Sequence, residues 1–245
     1  MPPVTPYWQA TRAPRYSLLF ALPLLLLYEL LAFALSGDAI AGVRNGADVL
    51  LKSVFIALGG RNGVLVFGLV LVGTGLVLAW RDWNRSGREL SGRVFLGMIA
   101  ESVFYAMIIG FVTASLTSVI LHGTLYAVAG QAMQEMSLPT QLMISLGAGL
   151  YEELLFRVLL VAALAKLATS FFGWKPLAAG IFATILGALI FSAFHYLGPY
   201  GDRLELSSFT FRAIAGVLFS GLYLLRGFGI AAWTHALYDV FLSLR

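Results

Sequence analysis

Apolar runs of roughly 20 residues, the length at which a helix crosses about 30 Å of hydrocarbon, recur along the whole of this chain. Inside a bilayer each backbone N–H and C=O must find a partner within the protein, and runs of this length do so as helices. Candidate spans cover residues 16–36, 62–80, 94–122, 138–167, 176–197 and 207–225, with a short seventh at 228–243. Residues 46–58 are short and mixed, and read as a helix lying at the interface. With 60% of its 245 residues hydrophobic and 11% charged, the chain has no room for a separate soluble domain. The expected fold class is all-α: a polytopic membrane protein of about seven transmembrane helices enclosing an intramembrane polar site. The first run follows Arg12 and Arg15 as a signal peptide would, yet it exceeds a typical ~7–15-residue signal core and contains Glu29, so it reads as a retained helix.

The basic residues orient the chain. If residues 81–93 face the cytoplasm, that side carries Arg12, Arg15, Arg81, Arg85, Arg88, Arg93, Lys166, Lys175 and Arg226, against Arg44, Lys52, Arg61, Arg203 and Arg245 opposite. The bias favours a cytoplasmic N-terminus. The net charge of +4 is spread over loops and forms no basic cluster, so the expected surroundings are a lipid bilayer and no nucleic acid. With no cysteine present, disulfides, thiolate metal sites and a cysteine nucleophile are excluded.

Ionisable side chains inside the spans cost roughly 2.5–3.5 kcal/mol each on insertion scales, so each calls for a partner or a task. In "GAGLYEELLFRVLL", residues 147–160, Glu153 and Arg157 are four apart, with the acid on the favoured N-terminal side. Glu152 is turned about 100° away on a helix and cannot share that arginine as easily. This divides the labour: Glu153 is neutralised by Arg157, and Glu152 is left as a general base. Gly147 and Gly149 would let another helix or a substrate backbone approach closely. Two further segments carry histidine: "FSAFH", ending at His195, and "THALYD", where His235 and Asp239 are again four apart. Glu101 and Arg212 have no helical partner of opposite charge at three or four residues, and are expected to pair with each other between helices.

In this order, "EELLFR", "FSAFH" and "HALYD" resemble the E-E-x-x-x-R, F-x-x-x-H and H-x-x-x-N/D motifs of the CAAX protease and bacteriocin-processing family, which includes type II CAAX prenyl endopeptidases. The resemblance covers roughly residues 140–243. It divides the chain into N-terminal helices without recognised motifs, 1–137, and a catalytic helical core, 138–245. It implies a glutamate-type intramembrane endopeptidase without a cofactor. In such an enzyme Glu152 and His195 activate a water, His235 and Asp239 stabilise the oxyanion, and Glu153 and Arg157 hold Glu152. An asparagine would offer an N–H to the oxyanion and an ionised Asp239 cannot, so Asp239 is expected to orient His235 instead.

The expected substrate is a protein or peptide with a membrane-associated C-terminal segment, cut at the outer face of a bacterial inner or plasma membrane. Three alternatives remain. Glu152, His195 and His235 form a two-His, one-carboxylate set that would suit zinc, although H-E-x-x-H is absent and Arg157 lies near. Ser220 with His235 gives a rhomboid-like pair, but Leu218 stands where that motif needs glycine. A non-catalytic scaffold, transporter or self-immunity protein is the third.

Overall fold

The computed structural model describes residues 6–36, 43–86, 90–122, 136–198 and 201–244, and among these residues the regular structure is helical throughout. A short helix α1 (Tyr7–Arg12) leads into α2 (Pro14–Ser36), which starts on a proline, the residue whose missing N–H costs a first turn nothing. Helix α3 (Gly46–Gly59) is capped by Asn45, whose side chain accepts from Ala47 N. It reverses through Gly60–Asn62 into α4 (Gly63–Ser86), and Gly60 takes a φ of 58° that favours glycine. Then follow α5 (Gly92–Ile120), α6 (Leu138–Phe171), α7 (Pro176–Phe194), α8 (Leu206–Arg226) and α9 (Phe228–Ser243).

Among the described residues six helical stretches are long and apolar enough to cross a membrane: Pro14–Leu35, Gly46–Arg85, Gly92–Ile120, Leu138–Phe171, Pro176–Phe194 and Leu206–Arg226. Helix α9, with 16 residues, falls short of the ~20 that span a bilayer. It is instead the central packing element. Its small residues Gly229, Ala231, Ala232 and Ala236 are buried, which lets neighbouring backbones come close. Ser17 Oγ takes the Gly229 N–H at 2.7 Å, and the Trp233 indole donates to Phe20 O, tying α9 to α2. On one side Met98, Phe211, Phe219, Ile230 and Tyr238 form a core shared by α5, α8 and α9. On the other, Tyr28, Leu51, Phe67, Met143 and Tyr151 join α2, α3, α4 and α6. The polar cluster lies between these two cores.

Long-range polar contacts gather at the end of the bundle where α2 and α5 begin and α4 and α8 finish. Arg15 pairs with Asp82 at 3.3 Å, and Tyr16 Oη accepts from Ser91 N, so α2 begins where α4 ends and α5 begins. Arg226, the last residue of α8, clamps Glu101 of α5 through Nε at 2.5 Å and Nη2 at 2.7 Å. Tyr7 Oη donates to the same carboxylate, and Trp8 lies 3.9 Å below the guanidinium. Glu101 therefore does not pair with Arg212. Arg212 sits at the opposite end of α8, on Asp202. Each has a partner of opposite charge, but Glu101 finds a different arginine and Arg212 an aspartate outside the helices, neither of which was readable from local spacing.

Candidate active site

The central stretch of α6, Ala148–Val161, is wound as a π-helix, with i→i+5 backbone bonding. It carries the whole of "YEELLFRVL", and Tyr151, Glu152, Glu153 and Arg157 on it are all buried. Two glycines make room for this polar turn on two sides. A Cβ on Gly147 would meet Tyr28 Cε2 at 2.5 Å and Asn45 Cβ at 2.8 Å; one on Gly149 would run into Ala232 O and Ala236 of α9. The glycines thus admit other parts of the chain, α2, the α3 cap and α9.

Each glutamate is engaged differently. Asn45 Nδ2 donates to Glu152 Oε1 at 2.8 Å. The other oxygen, Oε2, has no hydrogen-bond partner and lies 4.0 Å from the Nε2 atoms of both His195 and His235. Glu153 Oε1 receives His235 Nδ1 at 2.7 Å, and its Oε2 faces Arg157 Nε at 3.4 Å. The expected Glu153–Arg157 pair is present, but Glu153 is not reserved for the arginine. Its shorter contact is to histidine. The Arg157 guanidinium lies over the Phe191 ring at 4.4 Å and within 5.7 Å of Phe219. Aromatic faces supply part of the electrostatic support that acceptors would otherwise give.

Helix α7 stops at Phe194, so His195 is the first residue beyond it rather than a residue inside a longer span. Its ring stays aimed inward because Nδ1 meets the Phe191 carbonyl at 2.9 Å. A carbonyl only accepts, so Nδ1 carries the proton and, in a neutral ring, Nε2 presents a lone pair toward Glu152. Beyond it Asp202 N donates to His195 O, and Arg212 pairs with Asp202 while lying 5.4 Å from the Tyr196 ring. This fixes the path of the chain after the helix end.

His235 is buried on α9, stacked on Phe219 with ring centroids 4.4 Å apart. Asp239 Oδ2 lies 3.7 Å from its Nε2, beyond hydrogen-bond range, whereas Glu153 holds Nδ1 at 2.7 Å. The orienting group is therefore Glu153, in place of the expected Asp239. Ser220 turns its hydroxyl back to Gly216 O at 2.8 Å, a use of that side chain within its own helix. As for zinc, three ligands held at ~2.0–2.1 Å in a tetrahedron stand roughly 3.3 Å apart. The Glu152–histidine separations are longer, and no His/Asp/Glu group among the described residues has the form of a metal set.

The model of the type II CAAX prenyl endopeptidase Rce1-like family matches residues 134–241, the segment that supplies all three motifs. Over that segment, 108 of 245 residues, the chain is similar to the CAAX protease family. The matched segment takes in the whole of α6 and runs to near the end of α9, and the similarity supports a CAAX-type membrane endopeptidase in general terms. Searches of curated proteins and of solved structures return no match. The site nevertheless draws on a residue outside the matched segment. Asn45, a helix cap in the N-terminal half, touches Glu152 directly; an asparagine before a helix has an ordinary local role, so nothing in the sequence marks it as part of the site.

Proposed function

We propose that this CAAX protease-like protein is a glutamic intramembrane endopeptidase that hydrolyses a peptide bond near the membrane-associated C-terminal segment of a protein or peptide. The observation that carries the reading is the position of Glu152 Oε2, 4.0 Å from two imidazole nitrogens and free of other hydrogen bonds. Separations beyond about 3.5 Å between polar groups suit a water that bridges them. A water there donates one hydrogen to Glu152 Oε2 and the other to the His195 Nε2 lone pair, which directs its own lone pair at a substrate carbonyl. As the C–O bond forms, the water proton passes to this acid–base pair, and the carbonyl π electrons become the oxyanion. His235 serves the oxyanion through Nε2–H while Nδ1–H remains on Glu153, so it acts as the imidazolium. Collapse of the intermediate breaks the C–N bond, and the stored proton goes to the leaving amine.

Asp239 adds negative charge beside His235 and donates nothing. Glu153 and Arg157 are its supporting pair. In this reading the C-terminal helices 138–245 carry the chemistry and the helices of 1–137 hold it in the membrane. The site opens toward the end of the bundle opposite Arg226, the extracytoplasmic side if the N-terminus is cytoplasmic, in a bacterial inner or plasma membrane. The test is cleavage of C-terminal-tail substrates by protein reconstituted in vesicles, with Glu152→Gln and His195→Ala. Loss of cleavage with unchanged folding supports the reading; wild-type cleavage by either variant overturns it.

A zinc peptidase is the second reading. Both histidines have Nδ1 held by an oxygen acceptor and Nε2 facing Glu152, as imidazoles that ligate metals commonly do. The donor spacing favours a bridging water over a shared metal.

A further inference from the structure

A second polar cluster lies behind the site, and the chemistry above does not use it. Asp48 is fully buried between Arg44 Nη1 at 3.0 Å and Lys52 Nζ at 2.7 Å, and receives Tyr28 Oη at 2.8 Å. Glu29 completes it with Lys52, Arg44 and the Tyr151 hydroxyl. Two acids and two bases balance, so the cluster has no net charge to offer a ligand. Tyr151 ties it to the π-wound stretch, and Asn45 carries it on to the Glu152 carboxylate. Tyr28 Oη accepts the Asn45 backbone N–H at 3.2 Å, Asn45 Oδ1 accepts Ala47 N at 2.9 Å, and Asn45 Nδ2 donates to Glu152 Oε1 at 2.8 Å.

We infer that Asn45 is a positioning residue for Glu152: it occupies Oε1, so that Oε2 alone faces the histidines. The inference rests on Glu152 being the water-activating carboxylate. Two features make the asparagine specific to this task. It is 3% exposed, so its amide does not exchange partners with solvent. Its two ends also do separate things, Oδ1 capping α3 and Nδ2 meeting the carboxylate. An amide carries its acceptor and its donor on separate atoms, so each can be engaged in a different place. The buried cluster fixes the backbone from which this amide projects, because Tyr28 spans from Asp48 to Asn45. Gly147 leaves the space in which Tyr28 and Asn45 lie against α6.

The two roles can be separated by substitution. Asn45→Ser keeps a good cap and removes the N–H donor; Asn45→Ala removes both. In reconstituted vesicles Asn45→Ser is expected to lower kcat by about 10–100-fold, as loss of an outer-shell orienting contact does, with KM and melting temperature close to wild type. Asn45→Ala is expected to lose the same activity and also melt a few degrees lower, about what a lost cap costs. Wild-type kcat in Asn45→Ser, with only the melting temperature of Asn45→Ala lowered, would make Asn45 a helix cap alone. Glu152→Gln measured alongside separates the two levels. If Glu152→Gln is inactive and Asn45→Ser fully active, the positioning role fails while the enzyme reading stands. If Glu152→Gln cleaves normally, the reading of Glu152 as the water-activating carboxylate itself falls.

Discussion

His235 Nδ1 lies 2.7 Å from Glu153 Oε1, closer than any other carboxylate approaches either ring nitrogen. The second glutamate of the E-E pair therefore serves the histidine of a different helix, and the arginine four residues on is its weaker contact, at 3.4 Å. An imidazole held this way keeps Nδ1 protonated and Nε2 pointed at Glu152. The paired glutamates thus address opposite nitrogens of one ring.

Replacing Glu153 by glutamine tests this relationship. The amide oxygen of Glu153→Gln still accepts from Nδ1, but it brings no charge to support an imidazolium or to balance Arg157. Cleavage is expected to fall about 10–100-fold, mostly in kcat. Breaking a buried ion pair by removing one partner typically costs about 3–5 kcal/mol, so the melting temperature should drop too. Steady-state cleavage and thermal unfolding of the reconstituted variant check both parts.

The helices were legible because apolar length and backbone satisfaction in lipid act locally. The residues Glu152, Glu153, Arg157, His195, His235 and Asp239 were legible because three motifs place scarce polar groups in apolar runs. How they connect was not. The Asn45–Glu152 contact joins residues 107 apart, Glu153–His235 joins residues 82 apart, and Glu101–Arg226 joins residues 125 apart. Helical spacing can rank partners only within a few residues, so it over-weighted Arg157 for Glu153 and Asp239 for His235. It also left Glu101 to be matched with Arg212 by elimination. The π-wound stretch is a further case: nothing in "EELLFR" distinguishes i→i+5 from i→i+4 bonding.

The correction at the other end of the bundle gives a second prediction. Glu101→Gln and Arg226→Gln should be strongly non-additive in a double-mutant cycle on unfolding, with a coupling of about 0.5–3 kcal/mol. Glu101→Gln and Arg212→Gln should be additive to within about 0.5 kcal/mol, since Arg212 belongs to Asp202. Coupling of Glu101 to Arg212 in place of Arg226 would contradict the packing of α8 against α5.

A third prediction separates the water-activating reading from zinc catalysis. Exhaustive chelation of the reconstituted protein should leave its cleavage rate unchanged, because the acid–base pair Glu152–His195 needs no Lewis acid. Loss of activity on chelation, with recovery on adding zinc, would transfer Glu152, His195 and His235 from proton transfer to metal binding.

The fourth prediction concerns the glycines in front of the paired glutamates. Gly147→Ala places a methyl against Tyr28 and the Asn45 side chain, and neither has room to withdraw. Tyr28 is held by Asp48, and Asn45 is held by Ala47 and Glu152. Overpacking of this kind costs about 1–3 kcal/mol. It also moves the donor that faces Glu152 Oε1, so kcat should fall along with stability. Gly180→Ala on α7 is the control: a Cβ there meets nothing within 4 Å, and the change should stay within about 0.5 kcal/mol of wild type with normal cleavage. If both alanine variants behave alike in melting and in kcat, the close approach of α2 and the α3 cap to the paired glutamates is not what Gly147 is there to allow.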